Sequence, residues 1–257
     1  MITGRAVNIL LTNDDGYEAP GLRALERALQ RLGTVWTIAP ATEQSAKSHA
    51  LSMRDPIRAH VRGPRAWAVT GTPADCVYLG VNELLPDRPD LVVSGINDGS
   101  NLATDVFYSG TVAGAREASC FGIRALAASL WISRRFSGDT QPHWDVAGAW
   151  VRRIAERMLA RPVRPGVLLN LNVPDIAAPL GLKLTTLGRR HYQAVVDARK
   201  DLRGTPYYWI GGDHDRFEGP PDSDGHLCEA GWVTLTPLQL DHTAHDELAA
   251  LRSEWKD

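Results

Sequence analysis

The sequence predicts an α/β fold, a doubly wound and mostly parallel sheet followed by a β-rich C-terminal appendage. Three observations predict it. Short apolar runs alternate with segments of helical period. The runs stop at polar, turn-forming residues, where ligands of open α/β sheets bind. The alternation then fades in the last quarter of the chain.

Val7 to Leu11 is the first strand, and it runs into Thr12-Asn13-Asp14-Asp15-Gly16. Pro20 suits a first helical turn; Leu22, Leu25, Leu29 and Leu32 make one stripe, and Gly33 suits the stop. Val35 to Ala39 is the second strand, so the first forty residues read β-loop-α-β with a right-handed crossover. Thr42 to Ser52, rich in small polar residues, reads as a loop. Asp90 to Ser94 is a buried strand entering Gly95-Ile96-Asn97-Asp98-Gly99.

Thr111 to Phe121 reads as helix and Ala125 to Ser129 as strand. Asp145 to Leu159 is a helix with Val146, Trp150, Ile154 and Met158 on one face. Val167 to Asn172 is a strand stopped by Pro174. Beyond Leu182 only Tyr207 to Ile210 and Val233 to Leu235 read as strands, on either side of the Gly/Pro/Asp-rich stretch Gly211 to Gly225. We expect a single domain over 1–257, with a core to about residue 185 and an appendage over about 186–257.

A chain of 257 residues with 44% apolar and 23% charged residues is long enough and apolar enough for one large core. Its net charge of −2 gives no bulk attraction for a polyanion, which argues against nucleic-acid polymers as partners. Cys76, Cys120 and Cys228 are odd in number and widely spaced, the pattern of incidental thiols rather than a disulfide framework or zinc site. The apolar run near the N-terminus is too short for a secretory signal, and no stretch approaches the roughly 20 apolar residues of a membrane span. The expectation is a cytoplasmic protein with no membrane partner.

Three polar clusters fall at strand ends: Asn13 to Gly16, Ser45 to Ser52, and Asn97 to Asn101. Adjacent carboxylates repel, and burying them unpaired is costly. A divalent cation would remove the conflict at Asp14-Asp15, and oxygen donors favour Mg²⁺ or Mn²⁺ over zinc. Taken alone, Asp-Asp-Gly reads first as a solvated turn, and the apolar strand upstream with the other two clusters reverses that reading. Ser109-Gly110-Thr111 opens a helix, where free N–H groups and hydroxyls make a phosphate cradle, or an ordinary N-cap. Asp241, His242 and His245 form the one local histidine cluster, more simply read as solvated or structural residues, with His245 its one catalytic candidate. There is no dinucleotide-binding or P-loop glycine motif and no serine-hydrolase elbow.

These segments together resemble the SurE family, stationary-phase survival proteins that act as 5′/3′-nucleotidases. The matching stretches are Ile9 to Gly16, Ala39-Pro40 with Ser45, Gly71 to Val77, Asp90 to Asn101 and Tyr108 to Val112. Asn170 to Pro174, Gly188 to Tyr192, and Thr236 to Leu238 with Asp241 and Thr243 complete the set. The resemblance implies a Rossmann-like core and one divalent metal per subunit, with its ligands falling on Asp14, Asp15, Ser45 and Asn97. It also implies dimers or tetramers formed through the C-terminal portion. The family pattern has glycine where this chain has Ala46 and Ala103.

The expected activity is hydrolysis of nucleoside 5′-monophosphates, and of 3′-monophosphates in addition, by a metal-activated water. Asp14, Asp15 and Asn97 would carry the chemistry. Asn13 and Asn101 would orient metal or substrate, and Ser109, Gly110 and Thr111 would hold the phosphate. Two alternatives stay open: an aspartyl-phosphate-forming phosphatase, and a nucleotide-binding regulatory module without turnover. Tyr207, Tyr208, Trp209, Ile210 and Phe217 in the irregular arm Asp201 to Gly231 of the appendage predict a homo-dimer or homo-tetramer, since exposed aromatics mark interfaces.

Overall fold

The computed structural model describes residues 6–132, 141–161, 163–193, 195–212 and 214–255. The first strands are the buried apolar runs: β1 (Asn8–Thr12), β2 (Thr34–Pro40), β5 (Leu91–Asp98), β6 (Arg124–Trp131) and β7 (Val167–Pro174). All five are parallel, in the order β2-β1-β5-β6-β7. A strand covered on both faces needs apolar residues at every position, and Ile9, Leu10 and Leu11 are all fully buried. Ile9 and Leu11 enter one core cluster and Leu10 the other, as the two-residue period of a strand requires.

Helices cover both faces. α1 (Pro20–Leu29) and α4 (Trp144–Ala160) pack on one side through Leu22, Leu25, Val151 and Ile154. On the other side α2 (Pro73–Leu79) and α3 (Gly110–Cys120) bury Cys76, Val77, Val112 and Ala115. The chain leaves β1 first for β2 and later for β5 on its opposite side. The crevice at the carboxyl ends of β1 and β5 is therefore the topological switch point.

The edges depart from the sequence reading. β3 (Ala59–Gly63) and β4 (Ala66–Val69) form an antiparallel pair beside β2, and the exposed β3 offers no apolar run to detect. α2 is short, but Thr72 and Asp75 cap it reciprocally, a signature present in the sequence. β13 (Val233–Gln239) was expected in the appendage, yet it pairs antiparallel with β7 and parallel with β8 (Leu182–Leu184). The reason is burial: Val233 and Leu235 enter the same core as β7, and Thr234 and Thr236 are buried as well.

Outside this sheet, β9 (Arg189–Tyr192) pairs with β12 (His214–Glu218), and β10 (Val195–Lys200) with β11 (Pro206–Gly211). α5 (Asp224–Glu229) precedes β13, and α6 (His245–Glu254), none of whose residues is buried, follows it.

Ala46 and Ala103 adopt left-handed φ values of 59° and 54°. A Cβ is disfavoured there by about 1–2 kcal/mol, which explains why glycine suits both positions. Ala103 is fully buried, so glycine there would also lose methyl packing, whereas Ala46 is exposed. Ala46→Gly should therefore stabilise the protein by roughly 0.5–1 kcal/mol in denaturant titration, relief of strain exceeding the added chain entropy. A destabilised variant would contradict the strain.

Candidate functional site

The first cluster is shaped by the turn that ends β1. Asn13 Nδ2 donates to the Gly16 carbonyl at 2.9 Å and closes it, while Asn13 Oδ1 is buried without a partner. Asp14 is 4% exposed, and Asp15 is half-buried. The Thr111 hydroxyl donates to Asp14 Oδ1 at 2.5 Å. Gly110 lies so close that a Cβ there would sit 2.8 Å from the Asp14 Cβ, so only glycine lets α3 approach. The helix thus points its positive end at a carboxylate. Ser109 is the N-cap, accepting from the Val112 amide at 2.9 Å.

Burial raises the Asp14 carboxyl above its ordinary value, although the Thr111 hydroxyl and the Thr111 and Gly110 amides oppose it. Asp15 is pushed up to about 7, first by burial and then by the charge of Asp14. Its Oδ2 accepts the Asp98 amide at 3.0 Å, which ties the end of β1 to the end of β5.

The other clusters converge on these two. The Gln44 amide donates to the Asp14 carbonyl at 2.7 Å, bringing in the Ser45 loop. Ser45, Asp15, Glu43, Asp98 and Trp144 line one cavity of about 410 Å³. The Ser45 hydroxyl donates to Glu43 at 2.9 Å. Asn97 Nδ2 donates to the Gly99 carbonyl at 2.8 Å, so its amide oxygen is the end left for another ligand.

Asn101 is locked in a buried network. Its Nδ2 donates to Ser129 at 2.8 Å, its amide to Asn172 Oδ1 at 2.8 Å, and its carbonyl accepts from Asn170 and Asn172. His245 stands apart: it is largely exposed and bonded to Asp241 at 2.6 Å, and it does not line that cavity.

A divalent cation fits this donor set. Two carboxylates with raised affinity for protons lie side by side, and Asn13 Oδ1 is buried without a partner. Among the described residues no three His, Cys, Asp or Glu side chains converge. A cation here would draw on amide and hydroxyl oxygens as well, the preference of Mg²⁺ or Mn²⁺.

Comparison with known proteins places the whole chain. A family model described as survival protein SurE matches residues 9–194. The chain belongs to the SurE family. It is 44% identical to the 5′-nucleotidase SurE of Geobacter metallireducens over 251 residues, covering 96% of this chain and 97% of that protein. It is also 44% identical to the 5′-nucleotidase SurE of Myxococcus xanthus over 260 residues, covering 99% and 95%. The crystal structure of the SurE protein from Aquifex aeolicus superposes with a TM-score of 0.82 at 34% identity, covering 96% of this chain and 99% of that one. The SurE resemblance and the α/β fold expected from the sequence both hold.

Sequence reasoning did not single out Asp98, Glu43, Ser129, Asn170 or Asn172. Asn170 and Asn172 left a signal, since two amides at alternate positions of an otherwise apolar strand share one face. Asp98 left one as well, lying inside the polar cluster Asn97 to Asn101, whereas Glu43 left none, because its place depends on where two loops meet.

The raised Asp15 has a consequence for stability. The unfolded carboxyl releases its proton near pH 4 and the folded one near pH 7. Between these values the folded state binds more protons, so stability falls as pH rises through the window. With chelator present, Asp15→Asn should match the parent near pH 4 and exceed its Tm above about pH 7. Parallel Tm profiles across that range would contradict the shift.

Proposed function

We propose that the protein is a metal-dependent 5′-nucleotidase that hydrolyses nucleoside monophosphates, with 3′-monophosphates as additional substrates, working as a single cytoplasmic domain in a homo-oligomer. The observation that carries the site is the pair of buried Asp14 and half-buried Asp15 at the switch point, tied to the Asp98 amide and to the Ser45 loop through Gln44. Asp14, Asp15, Ser45 and Asn97 would hold one divalent cation, Mg²⁺ or Mn²⁺. Such an ion, when bound, supplies positive charge against the phosphoryl oxygens and lowers the pKa of water.

The chain's own residues set the geometry. Thr111 and the start of α3 fix the orientation of Asp14. Asn101 holds the β5 loop against β6 and β7, and Asn13 turns the chain so that the two carboxylates meet. Ser109, Gly110 and Thr111 would receive the phosphate at the helix start once a cation draws charge from Asp14. The free cysteines Cys76, Cys120 and Cys228 suit a reducing cytoplasm.

For assembly, Val195, Val196, Tyr207, Tyr208, Trp209 and Ile210 of the β10–β11 ladder are all exposed, Ile210 by 90%. A second copy of the chain would cover them, giving a homo-dimer or homo-tetramer. Light scattering at micromolar concentration should return at least a dimer. Deletion of 204–225 should lower that mass. A fully active monomer would refute the assembly, and an unchanged mass after deletion would refute the arm as contact.

Phosphate release from a panel of 5′- and 3′-monophosphates with each metal tests the activity. Asp14→Asn and Asp15→Asn should each abolish release while the fold persists, and full activity in either would sink the assignment. Thr111→Val removes one charge-assisted hydrogen bond on Asp14, so kcat/KM should fall by roughly tenfold or more. Unchanged kinetics would mean that the Thr111 hydroxyl has no part in orienting Asp14.

A further inference from the structure

The Ser45 loop holds itself in a costly conformation. Ala46 and Ser48 have φ values of 59° and 53°, left-handed for residues that carry a Cβ. Such a conformation persists only where the surroundings over-determine it. Upstream, the loop is tied to β1 by the bond from the Gln44 amide to the Asp14 carbonyl. Downstream, the Ser48 amide and hydroxyl donate to the Tyr108 and Phe107 carbonyls at 3.0 and 2.7 Å. Ser52 bonds Asp75 twice, and the Thr72 hydroxyl donates to the Ala50 carbonyl.

One tether is unlike the rest. His49 Nε2 lies 2.7 Å from Glu117 Oε2, and the Glu117 side chain is only 9% exposed. Glu117 is a buried carboxylate on α3, the helix whose first turn holds Asp14 through Thr111. Six residues separate Thr111 from Glu117, about 9 Å along the axis. A single rigid element therefore fixes both Asp14 and the loop that carries Ser45. A buried charge needs a partner, and His49 is the partner the loop supplies.

We propose that the His49–Glu117 pair is a positioning clasp, holding the strained loop against α3 so that Ser45 stands ready for the cation. The proposal rests on the reading of Ser45 as a cation ligand. The pair acts through the loop and touches neither metal nor substrate. Its loss should weaken cation binding and leave turnover at saturating metal almost intact.

His49→Ala is the direct test, with His49→Gln as the conservative variant, since a Gln amide can still reach Glu117. In the metal-free protein, amide hydrogen exchange over 44–52 should speed up in His49→Ala by about tenfold, the scale of one charge-assisted hydrogen bond. Calorimetric titration with Mn²⁺ should show affinity weakened by a similar factor, kcat at saturating Mn²⁺ should stay within about twofold, and His49→Gln should recover most of both losses. Glu117→Gln should shift exchange and affinity the same way by less, which keeps the test open should His49→Ala fold poorly. Unchanged loop exchange and Mn²⁺ affinity in both variants, with only Tm lowered, would overturn the clasp alone. A parent protein that binds no Mn²⁺ would overturn the reading of the site and the clasp with it.

Discussion

Asp14 and Asp15 are consecutive acids at the end of a buried strand, and burial raises the proton affinity of both. Removing a carboxylate from water costs several kcal/mol, whereas a hydrogen bond to a charged group returns only about 1.5–3 kcal/mol. At Asp14 burial outweighs the Thr111 hydroxyl and the α3 amides, and at Asp15 it outweighs the single Asp98 amide, so both carboxyls hold their protons more tightly than in water. Either protons or a cation must complete the balance. The neighbouring architecture answers to this constraint: a switch point where two loops meet, a helix start aimed at one acid, and a buried Asn13 amide oxygen without a partner.

α3 links the parts of the site. Nine of its eleven residues are buried, and most are small. Small residues let it lie close to the sheet: a Cβ on Gly114 would meet Ser94 and Thr12 at 2.9 Å. That closeness brings Gly110 and Thr111 onto Asp14 and sets Glu117 under the Ser45 loop. The helix is thus a strut between two segments far apart in sequence. A looser helix with larger side chains would leave Asp14 with water in place of the Thr111 hydroxyl.

Much of this was legible in the sequence, for identifiable reasons. β1, β2, β5, β6 and β7 are covered on both faces and so read as mostly apolar runs, while the leucine stripe of α1 announced its buried side. The acidic pair could be read because its repulsion is a local fact. Contacts made by tertiary packing could not. The Thr111 hydroxyl, a phosphate donor on the sequence reading, bonds Asp14. Asn101 looked like a ligand-facing side chain and is braced by Ser129 and Asn172. β13 looked like part of the appendage, because nothing in the alternation of Val233, Thr234 and Leu235 says which sheet edge they will meet. His49 and Glu117 are 68 residues apart and carry no shared pattern.

On the proposed reading, the Asp14–Asp15 pair exchanges protons for a cation. Calorimetric titration of Mn²⁺ in buffers of different ionisation enthalpy counts the protons released on binding. With Asp15 titrating near 7, binding at about pH 6 should expel close to one proton or more per site, and the release should fade above about pH 8. Apparent affinity should climb over the same interval. Proton release near zero at about pH 6, with affinity flat across the range, would contradict the account.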